Sequence, residues 1–91
     1  MTLLEIQVED AKPVAAHCDA TDLHVVLADG RRLSAPLWWY PRLLGASIAE
    51  RNVITLMRMG LHWPDIDDDV SITSILQGRR APGARQPEKA A

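Results

Sequence analysis

This 91-residue chain has one cysteine, five glycines that stand apart and no long apolar run, and each of these shortages excludes a class of protein or site. The single cysteine, Cys18, cannot form an intrachain disulfide, which fits a reducing compartment. No apolar run approaches the ~20 residues that a membrane helix needs. The first residues, Met-Thr-Leu-Leu-Glu-Ile, do not resemble a signal peptide. We therefore expect a cytoplasmic protein that does not enter the membrane.

Catalytic and metal-binding motifs are also missing. The five glycines stand far apart, so there is no phosphate-binding loop, and no serine or cysteine lies in a recognisable catalytic pattern. His17, His24 and His62 have no neighbour at the spacing typical of a zinc site. We expect a protein that is not an enzyme and that uses no cofactor and no metal.

Charge is unevenly distributed along the chain. Residues 1–78 carry eleven acidic and six basic residues, whereas residues 79–91 carry one acidic and four basic residues and no large apolar side chain. We therefore expect one domain over residues 1–78 and a flexible basic tail over residues 79–91.

The acidic charge of residues 1–78 disfavours duplex nucleic acid as a ligand and suits a basic protein partner. A core this small supplies roughly 3–5 kcal/mol, so a homodimer would be one way to bury more surface.

A β-hairpin is the clearest structural pattern. Residues 23–28 read as a strand, and Asp29-Gly30 precedes a second strand. A two-residue turn would mix polar and apolar side chains on one face. A three-residue loop over residues 28–30, with Gly30 in the left-handed conformation, separates them and leaves His24 on the outer face. This preferred register pairs Leu27 with Arg31, Val25 with Leu33 and Leu23 with Ala35.

The other elements are predicted from caps and turn residues. Ser47 and Glu50 form a capping box, Ser71 and Gly78 bracket the last helix, and Gly60 is read as a turn. These signals predict an α+β fold, with a small antiparallel sheet built on a β-hairpin and two or three short helices. The predicted strands are residues 14–19 and 53–59, with a short strand or frayed arm at residues 3–8; the predicted helices are residues 40–44, 48–52 and 72–77.

The densest charge lies in an acidic run formed by Asp65, Asp67, Asp68 and Asp69. Three of these acids alternate as in a calcium-binding loop, and one interpretation is a divalent cation site formed together with His62. The glycine required at the sixth position of such a loop is Val70, and the glutamate required at the twelfth is Leu76. The preferred interpretation is that the acids gather at the N-terminus of the last helix, where its dipole favours negative charge.

Three consecutive aromatic residues, Trp38, Trp39 and Tyr40, stand out in a chain without phenylalanine. Consecutive side chains cannot all face one core, so at least one should be partly exposed. Exposed aromatic side chains are common anchors of protein interfaces. The sequence therefore indicates an interface here, whereas the alternative is that two pack inward and the third covers the hairpin edge.

Two segments carry a family resemblance: LADGRRLSAPLWWYPRL at residues 27–43, and GLHWPDIDDDVS at residues 60–71, continuing to LQGR at residues 76–79. They closely resemble a family of bacterial and phage-borne domains, the domain of unknown function 2442. The resemblance covers about residues 20–80, and it implies a small α+β fold built on a hairpin. Members often lie beside a second small gene in arrangements like toxin–antitoxin pairs, which implies an antitoxin-like role. The family has no assigned catalytic residues.

The leading hypothesis is a non-catalytic interaction module, antitoxin-like or inhibitor-like, that masks a basic surface on a protein partner. The alternative is a small transcriptional regulator or DNA-associated accessory protein, whose basic tail would contact phosphates weakly. A metal-dependent enzyme built on the acidic run is the third hypothesis. The candidate partner-binding residues are Trp38, Trp39, Tyr40, Asp65, Asp67, Asp68 and Asp69, and the bases of the tail are Arg79, Arg80, Arg85 and Lys89.

Overall fold

A computed structural model describes residues 11–87, so the strand or arm predicted at residues 3–8 lies outside the described part. The fold is α+β: two antiparallel three-stranded sheets with three short α-helices. The elements are β1 (Pro13–Cys18), β2 (Asp22–Leu27), β3 (Arg32–Pro36), a 3₁₀ helix (Leu37–Trp39), α1 (Pro41–Leu44), α2 (Ile48–Arg51), β4 (Thr55–Met57), β5 (Gly60–Trp63), β6 (Asp68–Ser71) and α3 (Ile72–Gln77).

The first sheet has the strand order β1-β2-β3, and its hairpin confirms the predicted register. The Leu27 amide donates to the Arg31 carbonyl over 2.8 Å. Gly30 has a φ of +93°, the left-handed conformation that a three-residue loop requires. Because the side chains of β2 alternate between buried and half-buried, one face of this sheet covers the core and the other carries His24. The observed pairs include Leu23–Ala35 and Val25–Leu33.

The second sheet, β4-β5-β6, differs from what the sequence predicts. The prediction of a turn at Gly60 is wrong, because Gly60 begins β5 and pairs with both Met57 and Ser71. A Cβ atom on Gly60 would lie 2.9 Å from the Val70 carbonyl oxygen, so the glycine serves the close approach of two strands. The strand predicted over residues 53–59 is also shorter, since it covers only Thr55–Met57.

The acidic run does not lie at a helix N-terminus, so that prediction is wrong. The last helix begins after Ser71, whose side chain accepts a hydrogen bond from Ser74, and its first turn contains no acidic residue. Cross-strand pairing of His62 with Asp69 draws the end of the run into a sheet instead. Asp65 and Asp67 lie in the turn between β5 and β6, and Asp68 and Asp69 are the first residues of β6.

The core lies between the two sheets and the helices, and α2 ties the sheets together. Trp63 in β5 is fully buried, and its indole N–H donates to the Arg51 carbonyl over 2.8 Å. The Asn52 side chain accepts from the Cys18 amide over 2.8 Å and donates to the Cys18 carbonyl over 3.1 Å. One short helix end is therefore bonded to a strand of each sheet.

The predicted caps of the short helices are confirmed. Ser47 and Glu50 form both hydrogen bonds of a capping box at α2, and Gly78 ends α3 in the left-handed conformation with a φ of 73°. Within residues 11–87, no helix is long and apolar enough to cross a membrane.

Candidate partner-binding site

The three aromatic residues occupy the 3₁₀ helix and the residue that precedes α1. Tyr40 is 4% exposed and belongs to the core, whereas Trp38 and Trp39 are half-buried. Trp39 packs against the core, and the rings of Trp38 and Trp39 meet edge to face at 6.3 Å. The expectation that consecutive aromatic residues cannot all be buried is confirmed. Trp38 is half-buried without being part of the core packing, so its ring is the most available for contact with another molecule.

Arg80 covers the two indole rings. Its guanidinium carbon lies 4.7 Å from the centre of the Trp38 ring and 5.4 Å from that of Trp39. The Ala81 amide donates to the Trp39 carbonyl over 2.9 Å. Residues assigned by sequence to the flexible tail therefore contact the domain. The sequence did not predict this contact, which is a cation–π interaction between an arginine and two tryptophans.

An open pocket of about 450 Å³ lies next to this contact. It is where the aromatic and acidic parts of the predicted site meet, because Tyr40 forms part of its wall and Asp68 and Asp69 form another part. Asp65 and Asp67 do not line it. The remaining lining comes from β6, α3 and the segment after α3: Val70, Ser71, Ser74, Arg79, Arg80, Ala81 and Pro82.

The carboxylates of Asp68 and Asp69 keep acceptor capacity. One oxygen of Asp68 accepts from the Asp69 amide over 3.0 Å, and one oxygen of Asp69 lies 2.5 Å from Nδ1 of His62. Between residues 11 and 87, neither acid forms an ion pair with an arginine or a lysine, although Arg80 lines the same pocket. Asp68 and Asp69 therefore both line a space that a basic side chain could enter, and each carboxylate keeps an unused oxygen.

The Tyr40 hydroxyl is buried and has no hydrogen-bond partner among the described residues. Burial raises the pKa of Tyr40 to about 12, because the charged phenolate would lose its hydration. A buried hydroxyl without a partner costs about 1–3 kcal/mol. Tyr40 thus carries a buried polar atom that the described residues leave without a hydrogen-bond partner.

Tyr40→Phe is expected to raise the free energy of unfolding by about 1 kcal/mol at pH 8, because it removes this unsatisfied hydroxyl. The gain should grow as the pH rises above about 10, where the unfolded tyrosine ionises while the folded one stays neutral until about pH 12. Cys18, whose pKa burial raises to about 11, is present in both proteins and cancels in the difference. Urea titrations of both proteins at pH 8 and pH 10.5 measure it. A destabilised Tyr40→Phe protein would mean that the hydroxyl is bonded in solution.

The metal-site alternative is not located where the sequence suggested. In the part of the chain that the structure describes, the group with ligand atoms within 4.8 Å of one another is Asp19, Asp22 and His24. The β1–β2 pairing creates it and also stacks His17 on His24 at 4.9 Å. Backbone N–H groups, first that of Thr21, and His24 hold the pKa of Asp19 well below its usual range. Hydrogen bonds within the turn therefore account for this group.

Comparisons with known proteins give the family and the fold. Residues 13–81 match the family described as "Protein of unknown function (DUF2442)". The chain is similar to a protein of unknown function from Rhodospirillum rubrum, known from its crystal structure. The TM-score is 0.70 at 25% sequence identity, and the match covers 80% of this chain and 93% of the other. A comparison with curated proteins gives no match.

Proposed function

Since the chain belongs to the DUF2442 family of proteins of unknown function, we propose a function from the site itself. The protein is a non-catalytic, cytoplasmic interaction module of the antitoxin or inhibitor type. It binds a protein partner and masks a basic surface on that partner. The binding site consists of Trp38 and the pocket beside it, which we call the aromatic–acidic site: Trp38, Trp39, Tyr40, Asp68 and Asp69.

The contact between Arg80 and the tryptophans is the observation that supports this proposal most directly. A guanidinium group already lies 4.7 Å from the Trp38 ring, so the surface accommodates a basic side chain without rearrangement. Asp68 and Asp69 lie around the adjoining pocket with oxygens to spare. A stacked cation next to free carboxylates is the environment that an arginine or lysine of a partner would need.

The two kinds of residue would contribute differently to binding. Exposed carboxylates attract a basic surface and raise the association rate, and salt weakens this effect. A large aromatic side chain in a desolvated contact slows dissociation. Asp65 and Asp67 lie in the turn outside the pocket, so they would act only through the general negative field.

Identification of the partner is the first step of the test, by co-purification with the tagged full-length chain at low salt. Trp38→Ala is then expected to speed dissociation about 30-fold, the equivalent of a 2 kcal/mol hot spot. The double variant Asp68→Asn/Asp69→Asn should mainly slow association and flatten its dependence on salt. Surface plasmon resonance at three salt concentrations separates the two rates.

The matched control is Asp65→Asn/Asp67→Asn, which makes the same change of charge outside the pocket. Asn tolerates the φ of 50° that Asp67 adopts, so the turn should keep its shape. This control should slow association less than the pocket variant does. Thermal unfolding must first show that every variant is folded. If the folded Trp38 and pocket variants bind with wild-type rates, the proposal is wrong.

Self-association belongs to the same proposal. Large apolar side chains are exposed on α2, on β4 and in the segment between them: Ile48, Val53, Leu56 and Met57. A homodimer that covered them would add buried apolar surface to a small core. These residues do not line the pocket of the aromatic–acidic site, so that site would stay open in such a dimer.

A further inference from the structure

We propose that the aromatic–acidic site is selective for arginine in an extended partner segment, and that the chain's own residues 79–82 occupy part of it as an internal stand-in. This inference rests on the proposed function and names the chemistry of the partner. We call residues 79–82 the strap. A partner arginine would take the place of Arg80 over the tryptophans and would bond to the oxygens of Asp68 and Asp69 that Arg80 does not contact.

The backbone of the strap is held at both ends. After Gly78, the Arg79 amide donates to the Ser74 carbonyl over 2.9 Å. The Ala81 amide donates to the Trp39 carbonyl over 2.9 Å. Arg80 lies between these two bonds, so its side chain is directed to the indole rings by backbone contacts on either side. An extended peptide could form the same bond to Trp39, because it needs only one free amide.

The strap contacts the indole rings of the site but not its carboxylates. Among residues 11–87, Arg80 forms no ion pair, and its guanidinium group lies over the two indole rings. Asp69 pairs with His62, and one oxygen of each of the Asp68 and Asp69 carboxylates stays free of hydrogen bonds within the described residues. A ligand that stacks and also bonds to these groups makes contacts that the strap does not. This difference is what would allow a partner to displace a tethered competitor.

Arginine fits this site better than lysine for a geometric reason. A guanidinium is planar and weakly hydrated, so it can stack on an indole while its N–H groups point sideways to carboxylates. An ammonium is compact and strongly hydrated, and it cannot cover a ring and bond at its edge in the same way. Arg80 lies over the Trp38 ring and also lines the pocket that Asp68 and Asp69 line, so an arginine at this position has both a ring and carboxylates near it.

The test uses the full-length protein and synthetic peptides. Arg80→Ala opens the site, and Arg85→Ala is the control with the same loss of charge beyond the strap. The probe is a capped peptide with the sequence of residues 78–87, Gly-Arg-Arg-Ala-Pro-Gly-Ala-Arg-Gln-Pro. A second peptide has lysine at each arginine position. NMR titrations follow the indole N–H signals, with buried Trp63 as the internal reference.

The arginine peptide should bind the Arg80→Ala protein about tenfold more tightly than the wild type or the Arg85→Ala protein, as expected if the strap leaves about one tenth of the wild-type molecules open. The signals of Trp38 and Trp39 should shift, and that of Trp63 should not. The lysine peptide should bind at least tenfold more weakly than the arginine peptide. Adding Asp68→Asn and Asp69→Asn to the Arg80→Ala protein should weaken binding of the arginine peptide.

Three results would overturn the inference. One is equal peptide affinity of the wild-type and Arg80→Ala proteins, and another is equal affinity for the two peptides. The third is a change of oligomeric state in the Arg80→Ala protein by analytical ultracentrifugation, which would assign the strap to a second copy. Failure of the proposed function is distinguishable: the peptide results would hold, but Trp38→Ala would leave binding of the identified partner unchanged.

Discussion

Replacement of Trp63 by alanine is expected to lower the free energy of unfolding by about 3–5 kcal/mol, which is about the whole stability of a domain this small. Trp63 is fully buried, and its indole N–H donates to the Arg51 carbonyl. The substitution would therefore leave a large cavity between β5 and α2 and an unpaired carbonyl at the end of α2. Far-UV circular dichroism at 25 °C should show a largely unfolded chain.

Two further variants separate the causes of this loss. Trp63→Phe keeps most of the ring volume and removes only the N–H donor, so it should cost about 1–2 kcal/mol and remain folded. Trp38→Ala removes the same side chain from a half-buried position and should also remain folded. A folded Trp63→Ala protein with wild-type urea unfolding would contradict the central position of Trp63 in the core.

Gly60→Ala is the second substitution with a large expected effect, a loss of up to about 3 kcal/mol. The new Cβ would lie 2.9 Å from the Val70 carbonyl oxygen and 3.4 Å from the Ser71 Cα. Both atoms belong to the backbone of β6, so they cannot move aside without weakening the pairing of β5 with β6. Urea unfolding followed by tryptophan fluorescence measures the change.

Gly45→Ala provides the matched control for the same substitution. Gly45 has a φ of −81°, and a Cβ there would lie 3.4 Å from the nearest atom, the Pro41 carbonyl oxygen. This is an ordinary contact in an ordinary conformation, so the effect should be within about 0.5 kcal/mol. If both alanine variants unfold at the same urea concentration, the close approach of β5 and β6 does not exist in solution.

The first sheet could be predicted from the sequence because its signals are local. The three-residue loop, the positive φ of Gly30 and the pairing of Val25 with Leu33 follow from alternation and turn chemistry over a few residues. The caps at Ser47 and Ser71 are local in the same sense. Each of these features is decided by residues that are close neighbours in the chain.

The second sheet could not be predicted because its local signals favour other structures. Gly60 is typical of a turn, and acids before a helix are typical of its N-terminus. Both preferences are overridden by the pairing of β5 with β6, which buries Leu61, Trp63 and Val70 against the first sheet. Tertiary burial outweighs local preference here, and a single sequence does not reveal which residues will pair.

The candidate site divides in the same way. The sequence identified the aromatic cluster and the acidic run as separate features, and the structure places Tyr40, Asp68 and Asp69 around one pocket. It did not identify Arg80, because a basic segment without large apolar side chains gives no sign of where it will lie. In the sequence, Asp65 and Asp67 could not be distinguished from Asp68 and Asp69. In the structure β6 begins at Asp68, and only the two acids within this strand line the pocket.

The short connection between Gly78 and Arg80 has a consequence for the binding equilibrium. A competitor joined by so few residues acts at an effective concentration in the millimolar range or above. The apparent dissociation constant of a partner is its intrinsic value divided by the fraction of molecules in which the site is open. An insertion that lengthens this connection, or a substitution that stiffens it, would therefore change the partner concentration needed for half-occupancy. Every residue that touches the partner would stay the same.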